Sequence, residues 1–156
     1  MSTTKVPLNV LFIDDEEGNL VSFRVQLRRY YKIFTAISAA DAWPILEQNT
    51  IQVVISDQRM PEKTGIEFFE EMLKKYPDPI RILVTGYTDL TAVIDAINRG
   101  QVYRYLTKPW ITDDLRNSIE AAYEVYRLRE ENKELTERLL EVNMKLEFLA
   151  RQSLLS

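Results

Sequence analysis

The sequence predicts an α/β fold: a doubly wound, five-stranded parallel sheet whose last helix is unusually long. Over about the first 120 of 156 residues, short apolar segments alternate with amphipathic ones. Right-handed crossovers between successive strands then give a parallel sheet covered by helices on both faces. From about residue 112 to residue 151 there is no Gly and no Pro, so the last helix is expected to run for about 60 Å.

The first two strand–helix pairs are justified by their hydrophobic patterns. The first strand is continuously apolar, as expected when both of its faces are buried. The first helix places Leu20, Phe23 and Leu27 on one face and arginines on the other. A second apolar strand follows, and Ser38 or Ala39 begins the next helix. The predicted bounds are Leu8–Ile13 and Lys32–Ile37 for the strands and Glu16–Tyr30 for the first helix.

The remaining elements follow the same alternation. Pro77 and Pro79 end the third helix, and Gly100 ends the fourth. The last helix begins near Thr112, where Asp113 and Asp114 favour its first turn. The predicted bounds are Ile51–Ser56, Ile80–Val84 and Val102–Leu106 for the strands and Thr64–Tyr76 and Leu90–Asn98 for the helices.

Composition excludes several classes of site. The chain has no Cys and no His, which excludes disulfides, thiol nucleophiles, Ser-His triads and phosphohistidine carriers. Any metal must bind oxygen, which favours magnesium, manganese or calcium. The net charge of -4 predicts no nucleic-acid binding by this segment. No apolar run reaches the roughly 20 residues that a membrane span needs, and residues 1–7 are not a secretory signal. We therefore expect a cytoplasmic protein.

Reactive polar residues follow four of the five predicted strands. Asp14 and Asp15 follow the first strand, Asp57 the third, Thr85 the fourth and Lys108 the fifth. Because ligands of open parallel sheets bind outside the carboxyl ends of the strands, these side chains are expected to meet. Three carboxylates, a hydroxyl and an ammonium suit a divalent metal and a phosphoryl group.

Each of these residues also has an ordinary structural use. The acids can cap a helix or turn, Thr85 can begin a helix, and Lys108 can be a solvated surface lysine. Two adjacent acids close to Asp57 are nevertheless costly unless a cation lies among them. The agreement of all four strand ends favours metal and phosphoryl chemistry.

These motifs resemble the receiver domains of bacterial two-component response regulators. The resemblance covers about the first 120 residues. It implies a flavodoxin-like sheet with strand order 2-1-3-4-5, a Mg²⁺ or Mn²⁺ cofactor, and a sensor histidine kinase or phosphotransfer protein as partner. The matching segments are Asp14–Asp15, Asp57–Pro61 with Gly65, Thr85–Gly86 and Tyr105–Pro109.

The resemblance also implies individual roles. Asp57 resembles the phosphoacceptor, and Lys108 resembles the phosphoryl-binding lysine, with a Lys108–Pro109 bond that is typically cis. Thr85 resembles the hydroxyl that moves onto the phosphoryl group, and Tyr105 the aromatic that then turns inward. The alternative for Tyr105 is an edge aromatic without a switching role. For the metal, Asp15 resembles the direct ligand, Asp14 the acid acting through water, and the backbone carbonyl of Arg59 the third protein ligand besides Asp57.

Two features depart from the common pattern. Tyr105 lies five positions after Gly100 instead of the common four, which affects the expected conformation of the output face. Arg59 and Tyr87 are bulky neighbours of the phosphoryl site. We hypothesise that they obstruct the hydrolytic water and lengthen the lifetime of the aspartyl phosphate.

The long last helix has a coiled-coil pattern, with apolar residues three and four apart. We predict a receiver domain over residues 1–120 and a parallel homodimeric coiled coil over 121–156. This coiled coil is expected to link to an output domain in a longer regulator, and the alternative is a free-standing dimeric regulator. Asn132 at an a position favours a two-stranded parallel register. The alternative is an amphipathic helix folded onto its own domain. The predicted seam is Val125, Leu128, Asn132, Leu135, Leu139, Val142, Leu146 and Leu149.

The sequence offers three candidate functions. The first is a phosphorylation-controlled switch whose last helix transmits the signal, with no enzymatic activity beyond its own phosphorylation and dephosphorylation. The second is a constitutive dimerisation module with a receiver that does not switch, against which the intact acceptor set argues. The third is a phosphotransferase or phosphatase of the haloacid dehalogenase type. That class needs a second Asp two positions after the nucleophile, where this chain has Arg59.

Overall fold

The described part of the chain forms five parallel strands and five helices in strict alternation. A computed structural model describes residues 8–86 and 90–155. The strand order is β2-β1-β3-β4-β5, and all four neighbouring pairs are parallel. The predicted fold class and strand order are therefore confirmed. The elements are β1 (Asn9–Ile13), α1 (Glu17–Leu27), β2 (Lys32–Ala36), α2 (Ala39–Gln48), β3 (Val53–Asp57), α3 (Gly65–Lys75), β4 (Ile80–Thr85), α4 (Leu90–Asn98), β5 (Arg104–Thr107) and α5 (Thr112–Leu155).

Two hydrophobic cores lie on opposite faces of the sheet. Alternate residues of a strand point to opposite faces. Val10 and Phe12 of β1 therefore pack with α1 and α5, whereas Leu11 and Ile13 pack with α2, α3 and α4. The first core contains a stacked aromatic pair, Phe12 and Phe23, whose ring centroids are 4.2 Å apart. Both faces of β1, β3 and β4 are buried, which explains why these strands are almost continuously apolar.

The register brings the carboxyl ends of the strands to one edge. Ile13 pairs with Ser56, Asp57 with Val84, and Thr85 with Thr107. Asp14, Asp57, Thr85 and Lys108 stand at these positions or directly after them, and they therefore share that edge, opposite the edge where the strands begin.

The fifth strand is shorter than the sequence pattern predicts, starting at Arg104 instead of Val102. The N–H groups of Gln101 and Val102 donate to the carbonyl of Ala96, at distances of 2.9 and 3.4 Å. These bonds tie residues 101–102 to the end of α4. The extra residue before Tyr105 is therefore absorbed in the connection and does not lengthen the strand.

The chain divides into two compact units, Met1–Tyr126 and Arg127–Ser156. The first turns of α5 belong to the first unit, where Leu115, Ile119 and Ala122 are fully buried. Val125 is partly buried against the same core. Within the second unit, the six apolar seam residues from Leu128 to Leu149 are 49–61% exposed. None of the helices in residues 8–86 and 90–155 combines the length and apolarity required to cross a bilayer.

Candidate functional site

The three predicted acids form one cluster at the carboxyl edge of the sheet. Asp14 is fully buried, Asp57 is 6% exposed, and Asp15 is half-buried. One carboxylate oxygen from each of the three lies within 4.8 Å of the others. Such a group of oxygens suits a hard divalent cation, which binds carboxylates in preference to softer ligands.

Asp14 also stabilises the start of α1. Its Oδ1 accepts a hydrogen bond from the backbone N–H of Glu16 at 2.9 Å, and its Oδ2 accepts one from Asn19 Nδ2 at 3.1 Å. Asp14 is nevertheless not the N-cap of α1, because Glu16 occupies that position and makes no side-chain cap bond. The two bonds hold the carboxylate in place and satisfy part of its buried charge.

Lys108 lies between two of the acids. Its Nζ is 3.2 Å from Asp57 Oδ2 and 3.4 Å from Asp14 Oδ2. Desolvation alone would lower the pKa of Lys108, but the charges of Asp57 and Asp14 outweigh it and the pKa is raised. The ammonium is therefore held in its charged form, as the binding of a phosphoryl group requires. The peptide bond that follows, Lys108–Pro109, is cis.

Asp57 has a raised pKa, chiefly because burial disfavours its charged form. The charge of Asp14 raises the pKa further, while the ion pair with Lys108 opposes the shift without cancelling it. Three carboxylates against one ammonium leave two uncompensated negative charges when all are ionised. A divalent cation carries the charge that would balance them, so the residues present fit Mg²⁺ or Mn²⁺.

Thr85 and Tyr105 lie on the neighbouring strands β4 and β5. Thr85 ends β4, is 1% exposed, and donates a hydrogen bond from Oγ1 to the carbonyl of Gly86 at 3.0 Å. Tyr105 is half-buried against the second core. Arg59 is exposed in the connection between β3 and α3. Tyr87, which we expect to obstruct the hydrolytic water together with Arg59, lies outside the described residues.

Gly65 lets α3 approach Asp57 closely. A Cβ atom at this position would lie 2.5 Å from the backbone oxygen of Asp57 and 2.7 Å from Leu83 Cδ1. At such distances something must shift, and because one neighbour is a backbone atom, a side chain larger than that of glycine fits here only at a cost. The glycine of the sequence motif therefore has a steric reason that can be read from the structure.

Sequence reasoning missed several polar residues around the site. Asn19 bonds Asp14, and Gln58, directly after Asp57, is 7% exposed with its side chain bonded to α3. Gln26 Oε1 accepts from both Trp110 Nε1 at 3.2 Å and Thr112 Oγ1 at 2.8 Å, which joins α1 to the start of α5. Amides on amphipathic helices resemble ordinary surface residues. Only the strand-end position of Gln58 was a usable signal.

Curated relatives of this chain are transcriptional regulators. The hydrogenase transcriptional regulatory protein HoxA of Bradyrhizobium diazoefficiens is 33% identical over 122 residues, which cover 78% of this chain and 25% of the relative. The C4-dicarboxylate transport transcriptional regulatory protein DctD of Rhizobium meliloti is 34% identical over 128 residues, covering 81% of this chain and 28% of the relative. The chain thus spans about a quarter of the length of these relatives.

Solved structures share the same fold. An adenylate cyclase from Rhodopirellula baltica superposes with a TM-score of 0.82 at 28% identity, covering 85% of this chain and 98% of that one. An uncharacterised protein from Neptuniibacter caesariensis has a TM-score of 0.75 at 41% identity, covering 80% and 93% of the two chains. The family described as response regulator receiver domain matches residues 10–120. With the acid cluster and Lys108 in place, the chain belongs to the response regulator receiver domain family.

Proposed function

We propose that this chain is a phosphorylation-controlled switch that accepts a phosphoryl group on Asp57. The observation that carries the proposal is the position of Lys108, within 3.2 Å of Asp57 and 3.4 Å of Asp14 in a cluster of three acids. The donor is the phosphohistidine of a sensor histidine kinase or a phosphotransfer protein in the cytoplasm. The chain assists only its own phosphorylation and dephosphorylation, which is the behaviour of a signalling module.

In this reaction a carboxylate oxygen of Asp57 attacks the phosphorus of the phosphohistidine. A P–O bond forms as the P–N bond breaks, and the imidazole leaves with the electron pair and takes a proton from solvent. Lys108 donates hydrogen bonds to phosphoryl oxygens and neutralises part of their charge. Thr85 donates to another phosphoryl oxygen once it leaves the Gly86 carbonyl. Tyr105, on the neighbouring strand, turns into the space that Thr85 vacates.

The proposed cation ligands are Asp15, Asp57 and the backbone carbonyl of Arg59, with Asp14 acting through water. Mg²⁺ or Mn²⁺ bound there supplies charge neutralisation for the incoming phosphoryl group. The ionised form of Asp57, which burial disfavours, is then the stable one and is ready to attack. The acid pair thus prepares the nucleophile by holding the cation beside it.

Metal and phosphoryl binding are tested by titrating the chain with Mg²⁺ and then with beryllofluoride, a mimic of the phosphoryl group. Trp110 Nε1 bonds to α1, and its residue is two positions from Lys108, so its fluorescence is a suitable signal. The wild type should bind both, and Asp57→Asn should lose the mimic. Asp113→Asn, an equivalent change at an exposed position of α5, should bind both normally. Failure of the wild type to bind either one contradicts the proposal.

The second part of the proposal concerns transmission through α5. We propose that residues 1–120 act as the receiver and that residues 121–156 pair with a second copy as a parallel coiled coil. Support comes from the exposed apolar residues between Leu128 and Leu149 and from the 44-residue length of α5. Val125 packs against the core of the first unit. It is therefore the seam position that a change in that core reaches first.

The names of related proteins support an output domain in a longer regulator, because they include transcriptional regulators and an adenylate cyclase. Light scattering should give the mass of a dimer. Single cysteines at Leu128 and Leu149 should cross-link between copies, with a yield that changes on adding beryllofluoride. An unchanged dimer with unchanged cross-linking would leave phosphoacceptor chemistry intact but defeat transmission. That result would instead favour a constitutive dimerisation module.

A further inference from the structure

Gln58, the residue directly after Asp57, holds the N-terminus of α3 with two of its oxygen atoms. Its main-chain carbonyl accepts a hydrogen bond from the N–H of Gly65 at 3.1 Å. Its side-chain Oε1 accepts one from the N–H of Ile66 at 3.0 Å. Its own N–H donates to the Val84 carbonyl at 3.0 Å, which anchors it to β4. The side chain is 7% exposed, so these bonds are protected from water.

These contacts account for the first N–H groups of α3. The N-terminal N–H groups of a helix have no partner within the helix. Gln58 takes the first two, and the third, from Glu67, donates to Thr64 Oγ1 at 3.1 Å. The connection between Gln58 and Gly65 therefore forms a loop whose end is hydrogen-bonded to its first residue. If the side-chain bond from Ile66 were lost, Gln58 would keep only the main-chain bond from Gly65 to hold the two ends of this loop together.

Arg59, whose carbonyl is the proposed third protein ligand of the cation, is the first residue of that connection. Magnesium demands near-octahedral geometry with short bonds to oxygen, so a small displacement of one ligand weakens binding. We propose that Gln58 is a positioning residue for the cation site, fixing the Arg59 carbonyl by bonding the first turn of α3. The inference rests on the proposed function, since it concerns the same cation.

The test compares the loss of either of two hydrogen bonds at the start of α3: the bond from Ile66 to Gln58 and the bond from Glu67 to Thr64. Gln58→Met keeps the length of the side chain but cannot accept from Ile66, and Gln58→Asn keeps the amide but is one methylene too short. Thr64→Val removes the bond to Glu67 and leaves Gln58 untouched. Gln58→Glu retains an acceptor oxygen. In the full chain, Mg²⁺ affinity is measured by calorimetry, and stability by urea unfolding in EDTA.

We expect Gln58→Met and Gln58→Asn to bind Mg²⁺ at least about tenfold more weakly, as is usual when a group that orients a metal ligand is removed. Thr64→Val should stay within about twofold of the wild type at a similar loss of stability, and Gln58→Glu should bind no more weakly than the wild type. Equal Mg²⁺ affinities in wild type and Gln58→Asn, or an equal loss in Thr64→Val, overturn the positioning role alone. A wild type that does not bind Mg²⁺ overturns the proposed cation site and this role with it.

Discussion

Replacing Gly65 by Ala should destabilise the protein by about 1–2 kcal/mol. The added Cβ would lie 2.5 Å from the backbone oxygen of Asp57, 2.7 Å from Leu83 Cδ1 and 3.1 Å from Ser56 Oγ. Overpacking costs roughly 1–3 kcal/mol, and a contact with main chain belongs in the upper half of that range. Replacing a helical glycine by Ala returns about 0.5–1 kcal/mol, which leaves the net cost of about 1–2 kcal/mol. The Leu83 methyl can rotate away, but the oxygen belongs to the main chain of β3. The helix or the strand must therefore move.

Gly18→Ala is the matched control, because the same methyl group added there in α1 meets nothing within 4 Å. It should stabilise the protein by about 0.5–1 kcal/mol through helix propensity alone. Urea unfolding of both variants gives the comparison, and the melting temperature of Gly65→Ala should fall by about 2–8 °C. Gly65→Ala should also bind Mg²⁺ more weakly, since the displaced atom belongs to Asp57. A Gly65→Ala variant as stable as the wild type would refute the steric argument.

Three further predictions concern other parts of the chain. The raised pKa of Asp57 means that ionising this carboxyl lowers the free energy of unfolding. The protein therefore has its full stability below the unfolded pKa of Asp57 and loses part of it as pH rises through the folded pKa. Metal-free Asp57→Asn should therefore unfold at higher urea concentration than the wild type at pH 7; the gap should close as pH falls through the carboxyl range and also when Mg²⁺ is added. The buried guanidinium of Arg81 donates to four main-chain carbonyls in two connections, so Arg81→Met should cost about 3 kcal/mol in urea unfolding, and Arg81→Lys should recover less than half. If the seam is a parallel dimer, Asn132→Val should tighten association in light-scattering dilution series while making cross-linking less specific for one register.

The predictions that succeeded rest on patterns that extend along the chain. Burial on both faces forces β1, β3 and β4 to be largely apolar, so a polar residue at or directly after the carboxyl end of each strand is conspicuous. Parallel pairing then places Asp14, Asp57 and Thr85 at one edge without any knowledge of the loops. The strand order followed from the resemblance, because alternation alone does not distinguish one order of parallel strands from another.

Residues that act through loops were beyond sequence reasoning. Arg81 interrupts an apolar strand, and its role depends on where two connections bring their carbonyls. Gln58 required the distance across the connection to α3, and Asn19 required the rotation of α1 over Asp14. The late start of β5 has the same origin, because hydrogen bonds to the end of α4 replace strand pairing at Val102. In each case a hydrogen-bonding group meets a main-chain or carboxylate group whose position depends on the whole fold.

We expect Lys108 to couple phosphorylation of Asp57 to the start of α5. Its ammonium is shared between Asp14 and Asp57, and a phosphoryl group on Asp57 would bring about two negative charges and compete for it. Asp14 would lose part of its counter-charge while still holding the start of α1 through Glu16. α5 begins four residues after Lys108, at Thr112, whose hydroxyl shares the Gln26 acceptor with Trp110. Asp14 thus contacts the start of α1, and Lys108 shortly precedes α5, whose first residue is hydrogen-bonded to α1. We therefore expect phosphorylation to alter α5 at its beginning.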